Sequence, residues 1–117
     1  MKEVVFHIIG ESEWVAVSGE GTYAPASLAS EGFIHLSRID QILRPANLLY
    51  SGRSDLLLLE IDVACLQAEL VFEPGSHGED EHFPHLYGAL NTDAVIRVVR
   101  FPCGEGGVFE LPVGLAP

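Results

Sequence analysis

The segment LLLLEID at residues 56–62 places the tightest constraint on what this chain can fold into. It is an apolar run of strand length that Glu60 interrupts and Asp62 ends. A strand with one wet face alternates apolar and polar residues, whereas this run predicts a strand that is covered on both faces. We therefore expect it near the centre of a sheet.

Other segments supply the rest of a mixed architecture. Apolar, β-branched or alternating runs predict further strands at residues 4–9, 33–37, 69–73, 94–101 and 108–111. Short helices are predicted at residues 13–17, at 26–30 before Gly32, and at 41–49, where Pro45 should kink or divide the helix. A chain of 117 residues is of single-domain size. The predicted fold class is α+β: one small domain over residues 1–117, with a twisted, mainly antiparallel sheet and short helices.

Two connecting segments stand out between these elements. Residues 74–84 read PGSHGEDEHFP and predict an exposed polar loop, which is either a lid over a site or a simple bridge. The glycines within residues 104–107 predict a hairpin turn.

The charge balance limits the classes of partner. Seventeen acidic residues outnumber six basic ones, which gives a net charge of −11. Such a surface disfavours nonspecific binding of nucleic acid or anionic membranes, although two or three arginines can still hold one phosphate. No apolar run approaches the ~20 residues of a membrane span, and no secretory signal is recognisable, so we expect a cytoplasmic protein. Cys65 and Cys103 are predicted to be buried free thiols.

Two histidine-bearing segments are the candidates for a site. If residues 33–37 form a strand, Phe33, His35 and Ser37 share one face, while Ile34 and Leu36 share the other. An imidazole and a hydroxyl on one face can hydrogen-bond a sugar or a phosphate. The competing interpretation is a core histidine beside a serine that caps the following helix.

Residues 83–88, FPHLYG, form the second segment. Two aromatic rings, a proline, His85 and a glycine predict a turn that suits the wall of a ligand pocket. The alternative is an aromatic plug that closes the core where a long loop ends. Because both segments carry polar atoms, we expect His35 and Tyr87 to face a common cavity.

A third group of histidines gives a competing enzyme class. His77, His82 and His85 could in principle serve a metal-assisted hydrolase, but their spacing matches no well-specified zinc pattern, so no native metal site is expected. A third class is a noncatalytic module that binds a metabolite or a protein partner.

Taken together, the motifs carry a family resemblance. The chain resembles the domain of unknown function 952 family from about Val5 to Phe109. The most specific segments of the resemblance are EGFIHLS at residues 31–37 and FPHLYG at residues 83–88. Supporting positions are Trp14, Gly21, Tyr23, Ser27, Leu28, Gln41, Leu59, Ile61 and Asp62. That family is similar to the ADP-ribosyltransferase-like superfamily, and the N-terminal order is similar to that of the NAD-using RNA 2'-phosphotransferases.

The resemblance implies a pocket for NAD or another ADP-ribose-containing small molecule. His7 takes the position of the histidine that contacts the NAD ribose, and His35 lies on the strand beside the nicotinamide. On this hypothesis His7, Ser37 and Tyr87 bind the ligand, Tyr87 by stacking on a flat ring, while His35 and His85 are catalytic. His85 is the acid–base candidate.

Departures from the resemblance limit which activities the chain is expected to have. Ile8 and Ile9 replace the glycine and threonine that usually follow the first histidine, and the phosphate-reading arginine before the second strand is absent. An RNA phosphotransferase is therefore not expected. The enzyme class that the resemblance implies is an NAD-dependent ADP-ribosyl-type transferase or a related hydrolase, whose late-strand glutamate has no assignable counterpart in the sequence.

Overall fold

The strands of the computed structural model form small antiparallel sheets, with short helices between them. It describes residues 2–75 and 80–115. The strands are β1 (Val4–Gly10), β2 (Thr22–Tyr23), β3 (Ile34–His35), β4 (Leu56–Asp62), β5 (Glu69–Pro74), β6 (His82–Tyr87), β7 (Leu90–Asn91) and β8 (Val95–Arg100). The α-helices are α1 (Glu11–Val17), α2 (Ala26–Glu31) and α3 (Leu43–Leu49). The α+β class with mainly antiparallel sheets and short helices is confirmed.

Strand β4 is the middle strand of the first sheet, as its sequence predicts. The order is β1-β4-β8, and all its pairings are antiparallel. Successive side chains of a strand point to opposite faces, so Leu57, Leu59 and Ile61 enter one apolar core while Leu56 and Leu58 enter a second. Two cores, one on each face of β4, thus explain why this strand does not alternate apolar and polar residues.

Strand β6 was not predicted, because residues 74–84 read as a loop and residues 83–88 as a turn. In the structure β6 lies between β3 and β5, and Phe83, Pro84, His85 and Leu86 are all buried. Proline usually marks an edge strand because it has no N–H to donate. Here only its carbonyl is needed, since Pro84 accepts a hydrogen bond from the Leu36 N–H at 3.0 Å. Residues 76–79 of the predicted loop lie outside the described residues.

Residues 33–37 join two sheets rather than forming one long strand. Only Ile34 and His35 pair with β6, and Ser37 then bridges to Phe6 of β1 through backbone hydrogen bonds of 2.7 and 2.8 Å. The predicted alternation is present, because Ile34 and Leu36 are buried while His35 faces the other way. This crossing brings the histidine of β1 close to the histidines of β3 and β6.

Two further predictions need correction. Residues 108–111 are not a strand, and the Phe109 N–H donates to the Asn47 side chain at 2.8 Å instead of to a sheet. The helix predicted at 41–49 is divided into a 3-10 turn at Ile39–Gln41 and α3. Pro45 lies in the first turn of α3, where a missing N–H costs no helical bond.

The cysteines also differ from their prediction. Cys65 is exposed and Cys103 is half-buried, so neither is a buried core thiol. Among the helices of residues 2–75 and 80–115, none is long and apolar enough to cross a bilayer.

Candidate functional site

A cleft of about 380 Å³ opens where β1, the β3–β6 pair and α3 approach one another. Its size lies within the range of small-molecule sites, about 300–1,000 Å³. Polar side chains reach it from six helices and strands and from two connecting segments, and they are His7, Glu13, Tyr23, Ser27, His35, Ser37, Arg53 and His85. Pro45, Leu49 and Tyr50 supply a more apolar part of the lining. The mixture suits a ligand with both a flat apolar ring and hydrogen-bonding groups.

His7 is held in one tautomer by the backbone. Its Nδ1 lies 2.8 Å from the carbonyl oxygen of His35, and since a carbonyl only accepts, Nδ1 carries the proton. Burial lowers the pKa of His7, against the opposing effects of this hydrogen bond and of Glu13. His7 is therefore neutral near pH 7, with an acceptor lone pair on Nε2.

Tyr23 and Glu13 complete a polar chain beside His7. The Tyr23 hydroxyl donates to Glu13 Oε2 at 2.9 Å and lies 3.4 Å from His7 Nε2. Burial and the Glu13 carboxylate raise the pKa of Tyr23, so the phenol keeps its proton and gives it to Glu13. Consequently, His7 Nε2 remains an acceptor whose lone pair no tyrosine proton occupies.

His35 and His85 face each other across the β3–β6 pair. They are directly paired in the register, and their ring centroids are 5.5 Å apart. Phe33 stacks on His85 at 4.0 Å and meets the edge of His35 at 4.9 Å. Each imidazole donates to its own carboxylate, His85 Nδ1 to Glu73 at 2.7 Å and His35 Nε2 to Glu31 at 2.9 Å. The nitrogens left for other partners are Nε2 of His85 and Nδ1 of His35.

Tyr87 lies on the same face of β6 as His85 but outside the lining of the cleft. Its ring is 5.4 Å from Phe33, and its hydroxyl donates to the carboxylate of Glu73 that also accepts from His85. These two hydrogen bonds lower the pKa of Glu73. Thus the structure brings His7, His35, Ser37 and His85 to one cleft and leaves Tyr87 in the adjoining Phe33 cluster.

The structure does not support the metal hypothesis, because His82 and His85 do not converge on one point. His82 and His85 are three positions apart on β6, so their side chains leave opposite faces, and His82 is exposed. His77 lies outside the described residues. Over residues 2–75 and 80–115 no three histidine, cysteine or acidic side chains converge as a metal ion requires.

Sequence reasoning gave no site role to four polar residues of the cleft, Glu13, Tyr23, Ser27 and Arg53, although Tyr23 and Ser27 are positions of the family resemblance. Glu13 follows β1 on α1 and resembles any solvated helix residue in the sequence, while Arg53 lies in a polar turn before β4. Only the tertiary fold shows that both border the cleft of His7.

Comparison with known proteins agrees with the motifs. The family described as "Protein of unknown function (DUF952)" matches residues 8–98. The chain belongs to the DUF952 family. The segments EGFIHLS and FPHLYG both fall inside the matched region, so the predicted family is confirmed.

Solved structures extend this likeness to the whole fold. The X-ray structure of CC0527 from Caulobacter crescentus is 30% identical, with a TM-score of 0.84 over 97% of this chain and 98% of that chain. The solution structure of CC0527 is also 30% identical, with a TM-score of 0.76 over 90% of each chain. The search of the curated proteins gave no match.

Proposed function

We propose that this DUF952 domain binds a small ligand containing ribose and phosphate, of the NAD or ADP-ribose kind, in the cleft beside His7. The observation that carries the proposal is the neutral His7 in the lining of the cleft, whose Nδ1–H is committed to the His35 carbonyl and whose Nε2 keeps an acceptor lone pair. A relationship to the ADP-ribosyltransferase-like fold is part of the same proposal.

The chemistry around His7 favours hydroxyl groups over anions. His7 Nε2, the Tyr23 oxygen and the Glu13 carboxylate all have acceptor capacity, while the Tyr23 proton already goes to Glu13. Ribose hydroxyls and a carboxamide have protons to donate to such acceptors, whereas an ionised phosphate has none. The sugar of the ligand therefore belongs at His7.

Other parts of the lining fit the remaining portions of such a ligand. Leu49 and Tyr50 offer an apolar surface and an aromatic ring for a flat base. The buried Ser37 adds a hydroxyl beside His7. Glu13 supplies a carboxylate near the sugar position, on α1 rather than on a late strand.

Binding comes first in this proposal, and turnover would use His35 and His85. The carboxylates of Glu31 and Glu73 fix the two rings, which leaves one nitrogen of each to exchange a proton. His85 Nε2 is our candidate for that exchange, in a transfer or hydrolysis at the ribose carbon that bears nicotinamide.

Nuclear magnetic resonance titration with ADP-ribose and with NAD tests the binding. We expect shifts at His7, Tyr23, His35 and Ser37, and His7→Ala should weaken binding by about fivefold, since a lost hydrogen bond costs on the order of 1 kcal/mol. His82→Ala is the matched control, because that histidine is exposed on the other face of β6. An absence of shifts at millimolar ligand would reject the proposal.

Turnover is a separate measurement on the same samples. Nicotinamide released from NAD is followed by proton resonance, with His85→Ala as the inactive comparison. Binding without nicotinamide release would identify a binding module rather than a transferase or hydrolase.

A further inference from the structure

We infer that Arg53 is the phosphate-binding residue of the cleft, and that its ligand is a phosphorylated ribose in which a phosphate lies next to free hydroxyls. The ribose part of this inference rests on the proposed function. Among the described residues that line the cleft, Arg53 alone carries a permanent positive charge.

The guanidinium of Arg53 is held in place from several sides. Nε and Nη2 donate to the two carboxylate oxygens of Asp55 at 2.9 and 2.7 Å, and the group lies 5.6 Å from the centroid of the Tyr50 ring. A Cβ added to Gly10 would lie 3.3 Å from Nη2, so the absence of a side chain there lets the guanidinium rest against the end of β1.

The backbone of Arg53 is fixed as well. Its N–H donates to the Tyr50 carbonyl at 3.0 Å, and its carbonyl accepts from the Cys103 N–H at 3.2 Å. Ordering a long cationic side chain normally costs conformational entropy on binding. Because these contacts order Arg53 beforehand, an incoming anion meets a preorganised donor.

The pairing with Asp55 leaves Arg53 able to bind. Asp55 takes two of the five N–H donors of a guanidinium, on its Nε side. The two terminal nitrogens remain for a side-by-side contact with phosphate oxygens. Both side chains of the pair are about half exposed, so the ion pair itself contributes little to stability, and orienting Arg53 is its main effect.

The neighbouring charge sets the class of ligand. Glu13 lines the same cleft as Arg53, Tyr50 and His7. A compact multivalent anion at Arg53 is therefore repelled by Glu13, whereas a ligand with hydroxyls beside its phosphate gives Glu13 protons to accept. This selects nucleotides and sugar phosphates over bare polyphosphate, in keeping with the net charge of −11.

The test compares ligands that differ by phosphate, on variants that differ by one charge. Wild type, Arg53→Gln and Arg100→Gln are titrated with ADP-ribose, AMP, adenosine and inorganic pyrophosphate by calorimetry. The Arg53 Nε–H resonance is followed as well in the two proteins that keep Arg53. Arg100 is the matched control because it is an exposed arginine paired with Glu11 at 3.4 Å. Loss of the same charge there measures the general electrostatic effect.

We expect Arg53→Gln to lower the affinity for ADP-ribose and AMP by at least about tenfold, because a charge-assisted hydrogen bond is worth more than a neutral one. The affinity for adenosine, which has no phosphate, should change by less than about twofold. The affinity of Arg53→Lys for ADP-ribose should lie between those of wild type and Arg53→Gln, since lysine keeps the charge but loses the two-pronged hydrogen-bond geometry. Pyrophosphate should bind wild type more weakly than ADP-ribose does. Arg53→Lys also serves as the test variant if Arg53→Gln does not fold.

Each result separates this inference from the proposed function. If wild type binds ADP-ribose and Arg53→Gln binds it as tightly, Arg53 is not the phosphate site although the proposed function stands. If wild type binds no ADP-ribose, the proposed function fails, and the Arg53 Nε–H must still shift with pyrophosphate or AMP for the phosphate site to survive. Pyrophosphate binding more tightly than ADP-ribose would overturn the ligand class.

Discussion

The sheet around β4 and the sheet around β6 both bury their middle strand, but by different means. Leu58 and Leu59 of β4 are fully buried among apolar side chains, and they require only neighbours of complementary shape. His85 of β6 is also buried, at 2% exposure, yet it requires the Glu73 carboxylate as a hydrogen-bond partner. The β4 sheet is therefore built for stability, and the β6 sheet holds polar groups in place at a cost that hydrogen bonds from neighbouring strands offset.

The largest expected effect lies in the β4 sheet. Leu58→Ala should destabilise the domain by about 2–5 kcal/mol, through lost burial and the cavity that remains. Urea denaturation measures it, with Val98→Ala as the control, since Val98 is 42% exposed on the adjoining strand. Equal midpoints for the two variants would contradict the role of β4 as the centre of the core.

The difference between the sheets also explains which strands the sequence predicts. Strand β4 is recognisable because its apolar run is a local feature, and the structure gives it the predicted bounds. Strand β6 is not, because Pro84 and the acidic residues before it favour a loop, and only pairing with distant strands overrides them. Conversely, residues 108–111 look like a strand locally but find the Asn47 side chain as a backbone partner.

A smaller effect is expected when the β6 sheet loses a charge. Glu73→Gln keeps the shape of the side chain but replaces the carboxylate that accepts from His85 and Tyr87. We expect a lower denaturation midpoint at pH 7, with a smaller change than that of Leu58→Ala. Glu69→Gln is the control on the same strand, opposite Tyr87.

The pH dependence of this effect has a definite sign. The pKa of Glu73 is lowered from its ordinary value of 4.5 by the hydrogen bonds from Tyr87 and His85. Its stabilisation is therefore present above that value and is lost as the pH falls through the lower, folded-state pKa. The gap between wild type and Glu73→Gln should therefore shrink as the pH falls below 4.5. If the difference in denaturation midpoint between the two proteins does not change with pH, the charge of the Glu73 carboxylate does not contribute to that difference.

Histidines were more predictable than their partners in the cleft. Alternation identifies His35 and Ser37, side-chain chemistry identifies His85, and the family resemblance identifies His7. The structure brings all four to the cleft. Tyr87 shares their region of the fold but lies beside the cleft, because its hydroxyl goes to Glu73 on β5. Glu13 and Arg53 could not be found, since an acidic helix residue and an arginine in a turn acquire meaning only from tertiary neighbours.

The smallest expected effect on stability comes from Gly10, where the β4 sheet meets the cleft. Gly10 has φ of −71° and ψ of 145°, which any residue adopts, so Gly10→Ala should change the free energy of unfolding by less than about 1 kcal/mol. The new Cβ would press on Arg53 Nη2, which lies 3.3 Å away on a flexible side chain, and the guanidinium must shift. ADP-ribose should therefore bind more weakly while adenosine is unaffected, as measured by calorimetric titration. Gly19→Ala is the control, because nothing lies within 4 Å of its added Cβ. If the two alanine variants bind ADP-ribose equally well, the position of Arg53 against β1 does not matter for ligand binding. Gly10 then does not link the β4 sheet to the cleft.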